Sequence, residues 1–150
     1  MAQNTAPIFT LVPVCSFGTL TGNIGLTRSD GVGTIGTDIF KMFTADATDG
    51  SYVNKVRITA AATASASMTA SVIRIYISSI TSGATTAADT VLYTEVAVAA
   101  LAAANTSNAT NYYEVPFAIA LPPSYTILAS IDDNLTANTR WQFITFAGDY

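Results

Sequence analysis

Along most of this chain apolar and polar side chains alternate with a period of two, the spacing of a strand that turns one face inward and one outward. Seven segments carry the pattern: Asp38–Thr44, Tyr52–Ala60, Met68–Ser78, Val91–Ala99, Tyr112–Leu121, Tyr125–Ile131 and Arg140–Ala147. They are rich in Val, Ile, Tyr and Phe, which suit a pleated, half-buried surface. In Tyr52–Ala60 the alternation puts Val56 and Ile58 on one face and Lys55 and Arg57 on the other. Ile73, Ile75 and Ile77 oppose Val72, Arg74 and Tyr76, while Tyr113, Val115, Phe117, Ile119 and Leu121 oppose Tyr112, Glu114, Pro116, Ala118 and Ala120. Both segments are expected as core strands, and Pro116 places the second at an edge or a bulge because proline cannot donate to a ladder. Arg140–Ala147 is apolar on both faces, with Trp141 and Phe143 on one and Ile144 and Phe146 on the other. Such a strand is either sandwiched in the fold or meets a partner with half of its surface.

The breaks between segments have turn chemistry: Asp46–Gly50, Thr81–Gly83, Leu121–Ser124 and Asp132–Asn134 combine Gly, Pro, Asn or Asp as turns require. Strands joined this tightly read as antiparallel. The expected fold is all-β, a single antiparallel β-sandwich over residues 38–150, jelly-roll-like in strand number. Residues 1–37 read as an N-terminal lead-in, either a strand with a long loop or an arm that orders on a neighbouring subunit. Glycines punctuate it from Gly18 to Gly36, and apolar residues lie between and before them. Phe9, Leu11, Phe17, Leu20, Ile24 and Leu26 are therefore the candidate interface residues of this arm. The alanine-rich Ala100–Asn111 reads as a long loop, with a helical turn expected at Leu101–Ala104.

Composition narrows the function classes. Half of the 150 residues are apolar and 11% are charged, the reverse of the disorder signature. A surface with so few charges offers little repulsion against association, so the chain reads as a subunit of a homo-oligomer. Six basic residues are scattered against ten acids, which leaves a nucleic-acid backbone little to hold. The longest apolar run, Val96–Ala104, is too short to cross a bilayer. Met1–Pro13 shows no basic start followed by an apolar stretch and cleavage site, so no secretory signal is expected there. No nucleic acid, membrane or cofactor partner is expected.

The chemistry-bearing residues are few. Without histidine, the commonest general base and zinc ligand is missing, and the lone Cys15 reads as a small buried apolar residue. Gly31–Gly36 matches G-x-G-x-x-G, but no strand precedes it and no helix is expected after it, so it reads as a loop. Asp46 and Asp49 read as turn carboxylates, with calcium the alternative ligand, and Asp132 and Asp133 read as solvated turn acids. Ser65, Ser67 and Ser71 have no activating base nearby and read as strand surface. The sequons at Asn105, Asn108 and Asn134 read as polar loops. No catalytic, cofactor or metal residue is assigned, and no enzyme activity is expected.

The opening MAQNTAPIF, the glycine-rich lead-in, FKMFTADATDGSYVNKVR at Phe40–Arg57 and WQFITFAGDY at Trp141–Tyr150 together resemble small virion proteins of tailed bacteriophages. That resemblance implies a capsid decoration or cement protein: a β-sandwich, often trimeric, on the outer face of the head, fastening neighbouring major capsid protein subunits. Related small β-domains in tail or head fibres are the alternative. A carbohydrate-binding sandwich is a further rival, for which Tyr112, Tyr113 and Trp141 could supply stacking faces.

Overall fold

The computed structural model describes residues 10–20, 30–62, 67–101, 112–132, 135 and 139–150. Ten strands are present: β1 (Val12–Leu20), β2 (Gly33–Thr34), β3 (Phe40–Thr44), β4 (Ser51–Ala62), β5 (Ser71–Ser78), β6 (Ala84–Thr85), β7 (Thr90–Val98), β8 (Tyr112–Leu121), β9 (Thr126–Ile131) and β10 (Thr139–Asp149). There is no helix among the described residues. Leu101 instead forms an isolated antiparallel bridge with Met68. Residues 102–104 of the expected turn lie outside the described residues.

The eight long strands form two four-stranded antiparallel sheets, β1-β10-β4-β8 and β3-β9-β5-β7. Their inner faces pack together, as in a β-sandwich. In chain order the pairing is nested: β1 with β10, β3 with β9, β4 with β8 and β5 with β7. The core joins Val53, Val56, Ile58, Phe117, Trp141 and Phe143 of the first sheet to Met42, Ile73, Ile75, Ile127, Ala129 and Ile131 of the second. Phe40 stacks on Phe143 across the sandwich, ring centroids 5.6 Å apart.

Register shifts at four places, one of them in β8 between Pro116 and Ile119, and three of the bulges turn a further side chain to use. Opposite Phe146 and Ala147 of β10, β4 advances from Lys55 to Val53, and the extra Asn54 lets Val53 and Val56 both face inward at 0% exposure. In β3 the extra residue is Met42, so Met42 and Phe43 are buried in succession. In β7 it is Tyr93, between the pairs Ile75↔Thr94 and Tyr76↔Leu92. Its ring leaves the sheet to stack on Phe117 at 4.4 Å, and its hydroxyl donates to the Pro116 carbonyl. The edge between β7 and β8 is closed by this contact and by Ala99 N–H donating to the Tyr113 hydroxyl at 2.8 Å. At the opposite edge Ser16 Oγ donates to the Met42 carbonyl, and Gly18 leaves room for the Phe40 ring, which a Cβ would meet at 2.5 Å.

The described part of the lead-in, residues 10–20 and 30–37, belongs to this body. Val12–Leu20 pairs with β10 over its whole length, so of the two readings open for the segment it takes that of an edge strand. Residues 30–39 with β6 then lie across the outer face of the second sheet, where Ile39, Tyr76 and Leu128 form a small separate core with Ile35. Thr85 Oγ1 donates to the Gly31 and Gly33 carbonyls at 2.7 and 2.9 Å and accepts from Gly33 N–H. Gly31 has φ +73° and a Cβ there would strike the Tyr76 ring, so the G-x-G-x-x-G stretch is an ordered cover for Tyr76. As a result all six residues of β9 are buried.

The fold predicts opposite outcomes for two neighbours on β1. Leu20, fully buried, loses about 2–5 kcal/mol of stability as Leu20→Ala. Phe17, exposed to 74%, leaves the folding stability of the single chain within about 0.5 kcal/mol of wild type as Phe17→Ser when protein is dilute enough to be monomeric. Chemical-denaturation midpoints of the two variants check both values.

Candidate interaction surface

Among the described residues, none covers the outer face of the β1-β10-β4-β8 sheet as residues 30–39 cover β5 and β9. Cross-strand register arranges it in rows: Phe17, Ile144, Arg57 and Glu114; Cys15, Phe146, Lys55 and Pro116; Thr19, Gln142, Thr59 and Tyr112. Residues directly opposite share a face. In the first two rows the β1 and β10 side is therefore apolar, and the β4 and β8 side carries the charges of Lys55, Arg57 and Glu114. Phe17 is 74% and Tyr112 62% exposed.

Charge and ring surface are interleaved. Glu114 Oε1 accepts hydrogen bonds from Lys55 Nζ at 2.9 Å and from Arg57 Nε and Nη2 at 3.0 and 2.6 Å. The hydrogen bonds from Lys55 and then Arg57 hold the Glu114 carboxyl below the usual glutamate range. Lys55 lies over the Phe146 ring at 5.4 Å, and Arg57 over Tyr112 at 5.0 Å and Phe146 at 6.0 Å. A cation above a ring face is attracted by its quadrupole, so the rings fix where the charges sit. Arg140, exposed and in register with Ala61, adds a third cation with no ion-pair partner among the described residues. Beside the β4 bulge the face dips into an open depression of about 650 Å³ lined by Thr10, Pro13, Cys15, Tyr52, Asn54 and Phe146.

Of the six candidate interface residues, Leu11 and Phe17 are exposed, at 77% and 74%, and Phe17 belongs to this face. Leu20 is corrected: it sits in the core at 0% exposure because β1 turns it inward at the end of its pairing with Trp141. Phe9, Ile24 and Leu26 lie outside the described residues. Cys15 is also corrected, since it is exposed: its register with Phe146 puts it on the outer face.

The Tyr112, Tyr113 and Trp141 trio is not a stacking platform. Trp141 is 2% exposed, Tyr113 meets it edge-on at 6.2 Å, and only Tyr112 offers a ring to solvent. Asp46 Oδ1 accepts from Thr48 and Asp49 N–H, the Asx turn expected, and these bonds lower its pKa, that from Asp49 most. Ser51 Oγ donates to Asp149 and accepts from Asp46 N–H, tying the end of β10 to this turn. Asp132 is exposed at a bend, as expected of a turn acid, and it also accepts from Arg74 Nη1 at 3.0 Å while Arg74 Nε holds Glu95 at 2.8 Å. The buried Oγ of Ser71 and Oγ1 of Thr145 have no hydrogen-bond partner among the described residues. Asp133, Ser65 and the sequon asparagines lie outside the described residues, among which no group of three potential metal ligands occurs.

In comparison with known proteins, no family model matches the chain and no curated protein is significantly similar to it.

Two predictions arise here. Because the Glu114 carboxyl is held below its unfolded value, the stability it adds is present above the ordinary glutamate range and is lost as pH falls through its lowered native pKa. Glu114→Gln should melt below wild type near neutrality, and the gap should close in acid. A gap that persists unchanged at low pH would count against the ionic bridge. With Asp46 occupied by its own turn, the melting temperature should shift by less than about 5 °C on adding EDTA or millimolar calcium.

Proposed function

We propose that this chain is a non-enzymatic structural module of a phage particle, a decoration or cement protein that binds the assembled shell of the head. The observation that carries this reading is the nested pairing of the eight long strands, first with last and so inward. We read that order as a jelly roll, the double-sheet architecture recurrent in viral capsid and lectin domains. A fold alone does not define a function. The surface supports the reading: an exposed sheet face of rings and cations on a chain with few charges suits protein contact. The buried position of Trp141 and the engagement of Tyr113 speak against the lectin branch of the same fold.

The mechanism is mass action. A module that binds only the assembled shell stabilises that shell by its own binding free energy, and attachment through several linked copies multiplies avidity without new contacts. A homotrimer is the proposed form.

The test is a density map of the particle that carries this chain, together with heat-release measurements on heads with and without it. Density on the outer face of the capsid and heads that rupture at lower temperature without the protein are expected. Density on a tail or head fibre, or absence from the particle, would overturn the reading.

A further inference from the structure

The exposed large apolar side chains of the described residues fall into two groups. Val12, Phe17 and Tyr112 belong to the first sheet, with Leu11 just before β1, and Val91, Leu92 and Tyr93 belong to β7, the edge strand of the second. The two groups lie in opposite electrostatic surroundings. Of the first group, Phe17 and Tyr112 share the outer face with Lys55, Arg57 and Arg140, against Glu114 alone among the described residues. Around the second, Asp89 precedes β7, Glu95 lies on it, and Asp132 joins Glu95 on Arg74. The Arg74 side chain is 14% exposed, whereas Glu95 and Asp132 are 51% and 49% exposed. What solvent meets there is carboxylate.

We propose that these two patches are the halves of one interface, through which the Phe17–Ile144–Phe146 face of one copy docks on the Leu92–Glu95 edge of a second copy, head to tail. The inference rests on the self-association in the function proposed above and not on where the particle carries the protein. Charge decides the mode. Docking the cationic face on its own copy would oppose Arg140, Lys55 and Arg57 to themselves, and like charges across an interface are costly. Docking it on the acidic edge pairs unlike charges and covers both apolar groups. A contact between two different patches is heterologous, and it closes into a ring where the rotation allows. A three-fold assembly requires a contact of this kind, since an isologous patch makes only pairs.

The test uses variants that each disable one patch, the purified full chain being followed by sedimentation velocity at micromolar concentration with circular dichroism as a folding check. Phe17→Asp disables the cationic face and Leu92→Lys the acidic edge, and Arg140→Glu and Glu95→Lys serve as second variants should either fail to fold. Wild type is expected to be oligomeric and to dissociate as salt is raised. Each variant alone should run as a monomer of 15.6 kDa, and an equimolar mixture of the two should form dimers, one intact interface per pair, but nothing larger. A monomeric wild type would overturn the proposal. So would a Leu92→Lys protein that keeps the wild-type oligomer while Phe17→Asp loses it, since the face would then be meeting itself. Location on the particle is read separately by density, so a fibre-borne protein that passes the mixing test refutes the capsid reading and leaves this interface standing.

Discussion

The joint on which this structure depends is the pairing of the first long strand with the last. Thr139–Asp149 holds Val12–Leu20 on one side and Ser51–Ala62 on the other, and it carries Trp141 and Phe143, two of the largest fully buried side chains. A residue between two strands has its backbone committed on both sides, so the direction of its side chain is set by register. One residue of slip would bring Gln142 and Ile144 inward and carry Trp141 and Phe143 into water. The nested order of the remaining pairs then follows, because once the ends of the chain are joined each inner pair closes a shorter loop.

Much of this was legible in the period-two pattern. Tyr112–Leu121 is read without error, and the other segments lie within a few residues of their strands. The facing of Val56 against Arg57, and of Ile75 against Arg74, agrees with the observed burial. Pro116 lies on an edge strand, two residues before Ala118 at φ 50°, as a residue that cannot donate to a ladder requires. Of the bulges only the one beside Pro116, where β8 passes from Pro116 to Ile119 as β4 passes from Lys55 to Val53, had a signature in the sequence. An extra residue such as Asn54, Met42 or Tyr93 has no local signature, because it is defined only against the partner strand. Leu20 and Cys15 were misplaced for a related reason: with glycines around them the segment shows no clear alternation, and its inward face is decided by β10. The cover formed by residues 30–39 depends on Thr85, more than fifty positions from Gly31, and adjacent sequence carries no trace of that bond.

Closure of the edges explains how so apolar a sandwich avoids indiscriminate pairing. A free edge strand is a template for other chains, yet Tyr93, Tyr113, Ser16 and Phe40 each cross from one sheet toward the other and shield it. The second sheet is also covered on its outside. Stickiness is thereby confined to side chains on defined patches, where geometry can select a partner, and is kept away from backbone groups, where almost any strand would serve.

The ion pairs on the open face are better understood as positioning than as stability. Exposed pairs contribute little because solvent screens them and two long side chains must be ordered. On this face the ordering is shared: Lys55 and Arg57 converge on one oxygen of Glu114 while their charged ends lie over Phe146 and Tyr112. Side chains already ordered have less entropy to lose when a partner arrives. With only 11% of its residues charged, the chain cannot direct association by net charge. A small number of fixed cations beside exposed rings, with the exposed acids of β7 and Asp132 on the other sheet, gives it direction nevertheless.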